Sequence, residues 1–509
     1  MKLSRLIAVL NPLPFLETDP DITDLAYDSR RVSPGALFIA LRGSAADGHR
    51  FIGQAVQAGA AAVLLEDPAF APTGVTWIRV DDARLVLARM ASAFYDNPTA
   101  YIPVVGVTGT NGKTTTTYLI EAMLAAAGLP AAVLGTISYR FGDIELPAPN
   151  TTPESADLQR TLREFVDLGA KGIVMEVSSH ALEQRRADGC RFDVGVFSNL
   201  TQDHLDYHHD MAAYLASKRR LFSDLLTPDT EKPLRYAVIN SDDPAGADLT
   251  ASSACPVITY GIDTPSEVTV NNPTCSVDGI SGVLVTPVGE FPFRSEMLGR
   301  FNLYNLLSAV GAGIGLGLPL DAIRVGIEHH RPVPGRMERV PNDFGVTLLV
   351  DYAHTGDALE NVLRTVSALG GKRIITLFGC GGDRDRSKRP VMAEVAGRYS
   401  DLTIITSDNP RTEEPSAIIR EARVGILPLG LREYRFDDLV SSDDAKGFTT
   451  LENRREAIKL AVRISRPGDI VLLAGKGHED YQIIGTTKYH FDDREEAVAA
   501  FREQVVDEV

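Results

Sequence analysis

Short apolar runs alternate with polar clusters along most of the chain, and their spacing predicts strands and helices in turn. Over residues 1–100 the signals are brief: apolar runs at 36–41, at 51–58 closing on Gly59, and at 61–65, then a helical stretch at 83–94. This reads as a small α/β unit. Asn97-Pro98 interrupts it, because a residue before proline is driven out of the helical region, and a new apolar strand begins at 102–107.

From there strand and helix patterns alternate, as a mostly parallel sheet with crossover helices requires. Runs at 172–177, 194–198 and 236–240 predict buried strands, each followed by a polar cluster: Ser178-Ser179-His180, residues 199–204, and Asn240-Ser241-Asp242-Asp243. After Pro332-Val333-Pro334-Gly335 a third series opens, with strands at 346–350, 373–378, 402–406 and 470–474 and a helix at 358–368. The pattern therefore predicts three α/β domains, at 1–100, 101–335 and 336–509. No fixed-period repeat or low-complexity tract appears, which removes solenoids and long disordered tails.

Composition narrows the class of function. A chain of 509 residues exceeds what one hydrophobic core supports, consistent with several domains. With 51 Lys+Arg against 68 Asp+Glu the net charge is −17, which excludes a nonspecific nucleic-acid binder or a coat on anionic membranes. Cys190, Cys255, Cys275 and Cys380 are too few and too scattered for a disulfide scaffold or a paired metal motif, so buried free thiols are expected. The apolar run at 6–10 follows Lys2 and Arg5 but meets Pro12 and Pro14 without a small-residue cleavage site, so no signal peptide is expected. No apolar stretch reaches the ~20 residues that span a bilayer, and a soluble, cytoplasmic protein is expected.

The strongest local motif is Gly109-Thr110-Asn111-Gly112-Lys113-Thr114, with Thr115 opening a predicted helix at 115–127. Glycines let successive N–H groups turn toward a phosphate, Lys113 supplies a charge for the β- and γ-oxygens, and the Thr114 hydroxyl suits Mg²⁺. The strict GxxxxGK[ST] spacing fails at Val107, although Gly106 stands one residue earlier. The strand, loop and helix context still points to ATP, and the helix N-terminus adds its positive dipole end.

Ligands in open α/β sheets bind beyond the carboxyl ends of strands, so the remaining polar clusters are candidate chemistry. Glu176 ends one strand and His204 follows another; together they suit a Mg²⁺ site, or His204 caps a turn beside Asp203 and Asp206. Lys218 lies on a helix whose apolar positions 214, 215, 221 and 222 face inward, either as a surface residue or as a desolvated amine reactive toward CO₂. Asp351-Tyr352-Ala353-His354 and Arg336 stand where a domain could fold over bound ATP. Gly381-Gly382-Asp383-Arg384, Asp408-Asn409-Pro410-Arg411 and Gly475-Lys476-Gly477-His478-Glu479 follow successive strands, where arginines clamp carboxylates and Asn409 and Glu479 meet an ammonium group. Together they suit a zwitterionic amino acid.

These motifs in this order resemble the Mur ligase family, in its branch that adds meso-2,6-diaminopimelate. The resemblance covers essentially the whole chain, through Asp28-Ser29-Arg30, residues 109–114, Asn150-Thr151-Thr152-Pro153, residues 176–180, Asp203-His204-Leu205-Asp206, Lys218, residues 302–305, residues 351–354 and residues 408–411. It implies a small N-terminal domain for a UDP-sugar, a central P-loop parallel-sheet ATPase domain and a C-terminal Rossmann-like domain for the amino acid. The activity implied is that of an ATP-dependent carbon–nitrogen ligase in peptidoglycan precursor synthesis. It joins meso-diaminopimelate to UDP-MurNAc-L-Ala-D-Glu through an acyl phosphate, which an amine can attack where a bare carboxylate is inert.

Carried over residue by residue, the resemblance gives Gly109, Thr110, Asn111, Gly112, Lys113, Thr114, Thr115, Asn305, Arg336 and Asp351 to ATP. Ser29 contacts uridine, and Asn150, Thr151, Thr152, Ser178, Gln184 and Arg186 hold the muramoyl dipeptide. Arg384, Asp408, Asn409, Pro410, Arg411, Gly475 and Glu479 take the diaminopimelate, with Arg389 as a second carboxylate partner. Thr114 and Glu176 hold one Mg²⁺, and His204 with Lys218 as a carbamate (N6-carboxylysine) supports a second; Lys113, His204 and Lys218 are the implied catalytic set. The resemblance implies small-molecule partners alone, no nucleic acid, no stable membrane insertion and a monomer. One departure is Gly356, where many relatives have proline, and local loosening is expected there. The competing readings are a lysine-adding ligase, which Arg411 disfavours, a folylpolyglutamate synthase, which the full N-terminal domain disfavours, and a P-loop ATPase switch.

Overall fold

The computed structural model describes residues 1–10, 12–14, 16, 18–43, 46–440 and 446–507, without the side chains of 206, 440 and 505–507. It divides into two compact units, one of Met1–Asn271, Leu284–Phe291 and Tyr304–His330, the other of Asn272–Val283, Pro292–Leu303 and Arg331–Val509. The architecture is α/β throughout. No described helix is long and apolar enough to cross a membrane.

The first unit carries two sheets. The smaller is parallel, with strands β1 (Leu25–Ala26), β2 (Leu37–Ile39), β3 (Ala62–Leu65) and β4 (Thr76–Arg79) in that order. Both of its faces are covered, which is why its strands read as unbroken apolar runs. Leu37 and Ile39 pack with Leu87 and Met90 of the helix Ala83–Phe94, and Phe38 packs on the other face with Ile52 and Ala55. That helix starts where the Asp82 side chain accepts the Leu85 N–H at 2.9 Å, a standard N-cap.

The larger sheet has eight strands: β5 (Val104–Thr108), β6 (Ala131–Leu134), β7 (Ser138–Phe141), β8 (Ile144–Pro147), β9 (Gly172–Glu176), β10 (Val194–Phe197), β11 (Tyr236–Asn240) and β12 (Val257–Tyr260). Their order is β12-β11-β10-β5-β9-β6-β7-β8, parallel except for the antiparallel β7 and β8 at one edge. Strand β5 is central and wholly buried. A Cβ on Gly106 would lie 2.7 Å from the Phe192 ring, so this glycine serves sheet packing rather than the loop that follows. Because β9 and β10 flank β5, their carboxyl ends open beside its own, the crevice position for a ligand.

Residues 269–295 form a three-stranded sheet of β13 (Thr269–Ser276), β14 (Gly279–Thr286) and β15 (Gly289–Ser295). The second unit is built on β16 (Glu338–Val340), β17 (Thr347–Asp351), β18 (Ile374–Cys380), β19 (Leu402–Ser407), β20 (Arg432–Glu433), β21 (Gly447–Leu451) and β22 (Ile470–Ala474), in the order β16-β17-β22-β18-β19-β21-β20. All pairs are parallel except β16 with β17. Leu349, Phe378 and Leu472 face one core with Leu359 and Leu363, while Leu348, Leu377 and Val471 face another with Ile458 and Phe501. A hairpin of β23 (Tyr481–Ile484) and β24 (Thr487–His490) follows.

The strand expected at 346–350 is thus the second of its series, since the short antiparallel β16 precedes it. Neither β13 nor the hairpin was expected from the pattern, because β13 is largely exposed and β24 wholly so, and neither shows apolar alternation. Gly356 opens the helix Gly356–Ala368 with Thr355 accepting the Ala358 N–H at 3.2 Å, so the helix start keeps its cap without proline. A Cβ there would meet Val391 at 2.6 Å, a close approach that glycine permits.

Candidate active site

Beyond β5 the chain turns through two glycines in left-handed backbone, Gly109 at φ 145° and Gly112 at φ 88°. A Cβ would fall 1.9 Å from Ser198 Oγ at the first and 2.2 Å from Asn305 Oδ1 at the second, so both positions demand glycine. The helix Lys113–Ala126 starts there and points its N-terminus into the turn. Strand β10 supplies the brace: Asn199 O accepts the Thr110 N–H at 2.8 Å, and Asn199 Oδ1 accepts the Asn111 N–H at 2.9 Å. Lys113 Nζ curls back onto the carbonyls of Gly109 and Thr110, both at 2.9 Å. Thr115 is buried in the same first turn.

Glu176 ends β9 next to this loop and is 1 % exposed. Its Oε1 accepts from Thr114 Oγ1 at 2.8 Å and from the Thr136 N–H at 3.0 Å, and Oε2 accepts from Thr136 Oγ1 at 3.0 Å. The carboxylate is therefore fixed beside the loop hydroxyl, an all-oxygen grouping of the kind Mg²⁺ takes. Thr152 donates to Glu176 O at 2.8 Å and accepts the Ser178 N–H at 3.1 Å, while Thr151 and Thr136 hydroxyls lie 3.1 Å apart. Arg186 donates to Thr152 O at 3.0 Å and to Gln184 Oε1 at 2.7 Å, and Asn150 O accepts from Tyr139. Thr151, Thr152, Ser178, Gln184 and Arg186 are in this way joined through Thr136 and Glu176 into one hydrogen-bonded group, while the bond of Asn150 runs to Tyr139. Ser29 lies apart, in the short helical turn Ser29–Arg31 that follows β1, buried and donating to Gln54 Oε1 at 3.0 Å.

Lys218 sits near the end of the helix Met211–Arg220 and is 1 % exposed, which removes the surface reading. Its Nζ lies 4.2 Å from the Tyr214 ring centroid. Burial pushes its ammonium well below the usual lysine value, and the Lys113 charge adds to the effect against a weaker pull from Asp203. His204 is at φ 55°, donates its N–H to Asp203 Oδ1 at 2.8 Å and stacks edge-on against His180 at 4.9 Å. His204 stands at the N-cap of the short helix Leu205–His208 but its side chain makes no capping hydrogen bond; the Asp206 side chain lies outside the described residues.

In the second unit, β17, β22, β18 and β19 are neighbours, and their carboxyl ends carry the remaining candidates. Asp351 is buried and accepts the N–H groups of Met337 and Ala353, both at 2.8 Å; burial raises its pKa against the Arg336 charge. Arg336 lies over the Tyr352 ring at 4.8 Å. Asn409 donates to Glu479 Oε2 at 2.8 Å and accepts the Ile483 N–H at 2.9 Å. Burial and the Asp408 charge push the Glu479 carboxyl up. Burial also acts on Asp408, but Lys476 and Arg454 outweigh it and hold that carboxyl below its usual range.

Arg411 is held at φ 51° by backbone bonds to the hairpin, its N–H to Ile483 O at 3.0 Å and its O from the Gly485 N–H at 2.8 Å. Its Nη1 donates to Gly382 O at 2.8 Å. A Cβ on Gly382 would lie 1.9 Å from Pro410 O, so these two loops pack backbone to backbone. Gly475 at φ 103° leaves β22 alongside Gly379. Arg384 is exposed, whereas Arg389 is wholly buried with its guanidinium paired to Glu413 at 2.7 Å and Glu421 at 2.8 Å. That engagement makes Arg389 a brace between loops rather than a second carboxylate partner.

Thr136 and Lys476 join these groups without having been candidates, whereas Asn199 lay in the polar cluster at 199–204. Thr136 follows β6, so the strand-end rule applied to that strand would have found it. Lys476 stood inside a quoted motif, but nothing in its spacing marks a lysine as buried.

Three family models match the chain. The Mur ligase family catalytic domain matches residues 21–95, the Mur ligase middle domain 107–313, and the Mur ligase glutamate ligase domain 335–477. Among curated proteins, the chain is 64 % identical over 504 residues to the UDP-N-acetylmuramoyl-L-alanyl-D-glutamate--2,6-diaminopimelate ligase of Geobacter metallireducens, covering 99 % of each chain. It is 63 % identical over 503 residues to the protein of the same name from Geobacter sulfurreducens, again covering 99 % of each. A solved structure of a ligase with that name is 33 % identical and superposes with a TM-score of 0.71 over 99 % of this chain and 100 % of the other.

Proposed function

This chain belongs to the Mur ligase family of ATP-dependent amide ligases, and from that premise we propose that it adds meso-2,6-diaminopimelate to UDP-MurNAc-L-Ala-D-Glu. The domains assigned to this task are 1–100 for the UDP-sugar, 101–335 for ATP and 336–509 for the amino acid. The observation that carries the reading is the Asn409–Glu479 pair at the ends of β19 and β22, with Arg411 in the same loop. Carboxyl and amide oxygens accept from an ammonium group, and a guanidinium pairs with a carboxylate, so the pair and the arginine suit the two charges of an amino acid. L-Lysine lacks the distal carboxylate of diaminopimelate and would leave Arg411 without its partner, which disfavours the lysine-adding alternative.

Lys113 and the loop amides of Gly109 to Thr114, with Thr115, Asn305, Arg336 and Asp351, hold ATP. Thr114 and Glu176 hold Mg²⁺, which supplies charge neutralisation at the phosphates. Ser29 meets the uridine part, and Asn150, Thr151, Thr152, Ser178, Gln184 and Arg186 hold the dipeptide. A carboxylate oxygen of the D-glutamyl residue attacks the γ-phosphorus, the bond to the bridging oxygen breaks, and ADP leaves with that electron pair. Lys113 stabilises the charge on the transferring group and the loop fixes its line of attack. The neutral amine of the amino acid then attacks the acyl carbon, the C–O bond to phosphate breaks, and the departing phosphate carries away the electron pair and the proton lost from nitrogen as the amide forms. Arg384, Asp408, Asn409, Pro410, Arg411, Gly475 and Glu479 hold the charged groups of the amino acid so that this amine faces the acyl carbon.

Lys218 is assigned a carbamate. Burial favours its neutral amine, the form that attacks CO₂; one proton is released, and the product is an anion. That charge reversal turns the repulsion from Lys113 into attraction, and with His204 the anion would support a second metal. The enzyme acts as a monomer in the cytoplasm. Phosphate release that requires the UDP-dipeptide and the amine together tests this function; release from ATP alone at the same rate favours a P-loop switch instead.

A further inference from the structure

Lys476 stands among the amino-acid residues but has no part in the reading above. It is fully buried, on the turn that leaves β22. Its Nζ lies 3.1 Å from Asp408 Oδ1 and 3.8 Å from Glu479 Oε2, and donates to Tyr481 O at 2.6 Å. One ammonium therefore joins the loop after β19, the loop after β22 and the hairpin. A buried lysine is costly to desolvate, and two buried carboxylates near one another repel; placing the first between the second two resolves both costs. Arg454 reinforces the arrangement from below, donating to Asp493 at 2.7 Å and to Ala474 O at 3.2 Å, at the base of the same loop.

We propose that Lys476 is a positioning residue for the amino-acid substrate, its ammonium fastening Asp408 and Glu479 into a single cradle of net charge −1 that receives a substrate ammonium group. The cradle has a definite chemistry. Without Lys476 the repulsion between the two buried carboxylates is uncompensated, and the cradle loses its fixed geometry. With Lys476 the Asn409–Glu479 hydrogen bond keeps its acceptor orientation, and one negative charge is left for the incoming cation. This inference rests on the amino-acid reading of the site, and its test separates the two.

Steady-state phosphate release is measured for the wild type and for Lys476→Met, varying ATP, the UDP-dipeptide and meso-diaminopimelate in turn. The expected result is a rise in KM for diaminopimelate of about tenfold or more, with KM for ATP and the UDP-dipeptide within about twofold. In the pair Asp408→Asn and Lys476→Met/Asp408→Asn, the double variant should lose less than the product of the two single losses, because Lys476 acts in part through that carboxylate; full multiplicativity would count against the proposal. Should Lys476→Met yield no folded protein, Lys476→Gln, which keeps a donor for Tyr481 O, is read by the same criterion, with nucleotide binding as the check on folding. An unmoved KM for diaminopimelate, or equal losses for all three substrates, overturns the positioning role. Absence of diaminopimelate turnover in the wild type instead overturns the functional reading itself.

Discussion

Arg411 combines a left-handed backbone, two hydrogen bonds to the hairpin and a guanidinium anchored on Gly382 O. A side chain held this firmly loses little entropy when it takes a carboxylate, so its removal should fall on the substrate that carries one. Arg411→Ala is expected to lower kcat/KM for meso-diaminopimelate by roughly a hundredfold or more, the scale of a lost charge-assisted pair, while KM for ATP stays put. Near-normal kcat/KM would remove Arg411 from the site. Lys218 gives a second residue-scale expectation. Under carbon-13-labelled CO₂ the enzyme should show a carbamate carbon resonance that Lys218→Ala lacks, and an active wild type without that signal would contradict the carbamate. The identities of Arg411, Glu176 and Lys113 were legible because each follows an apolar strand. The burial of Lys218 and Lys476 was not, since it depends on which loops meet in three dimensions.

At the scale of elements, the turn from β5 into the helix Lys113–Ala126 shows why a motif can keep its function while departing from a spacing rule. Gly106 packs against Phe192 inside the strand, and the two loop glycines are demanded by Ser198 and Asn305. Gly112→Ala is therefore expected to raise KM for ATP about tenfold and to destabilise by about 1–2 kcal/mol, read by thermal melting and nucleotide titration. Gly128, at φ 75° with open space around it, is the control: its alanine variant should cost about 1 kcal/mol and leave KM for ATP unchanged. Equal effects at both positions would mean that backbone strain alone, without the crowding at Asn305, sets the result. The buried parallel strands were visible as apolar runs because both faces of each sheet are covered. Strands β13 and β24 were not, because exposed strands of mixed polarity carry no period.

At the scale of the whole molecule, an acidic chain of net charge −17 must attract two anionic substrates and a zwitterion. The candidate cations for them are few, Lys113 and Arg186 in one unit and Arg336 and Arg411 in the other, while many acidic groups pair with arginines. Length and charge excluded a single domain and a basic binder, but only the ordered strand-end motifs pointed to a ligase. On the proposed mechanism these groups serve one condensation with meso-diaminopimelate. A phosphate-release assay with ATP and UDP-MurNAc-L-Ala-D-Glu, run in parallel with meso-diaminopimelate, L-lysine and no amine, tests it most directly. Sustained release is expected with meso-diaminopimelate, in step with amide product, and release lower by orders of magnitude with L-lysine or without amine. Equal release in the three reactions, or a preference for L-lysine, would contradict it.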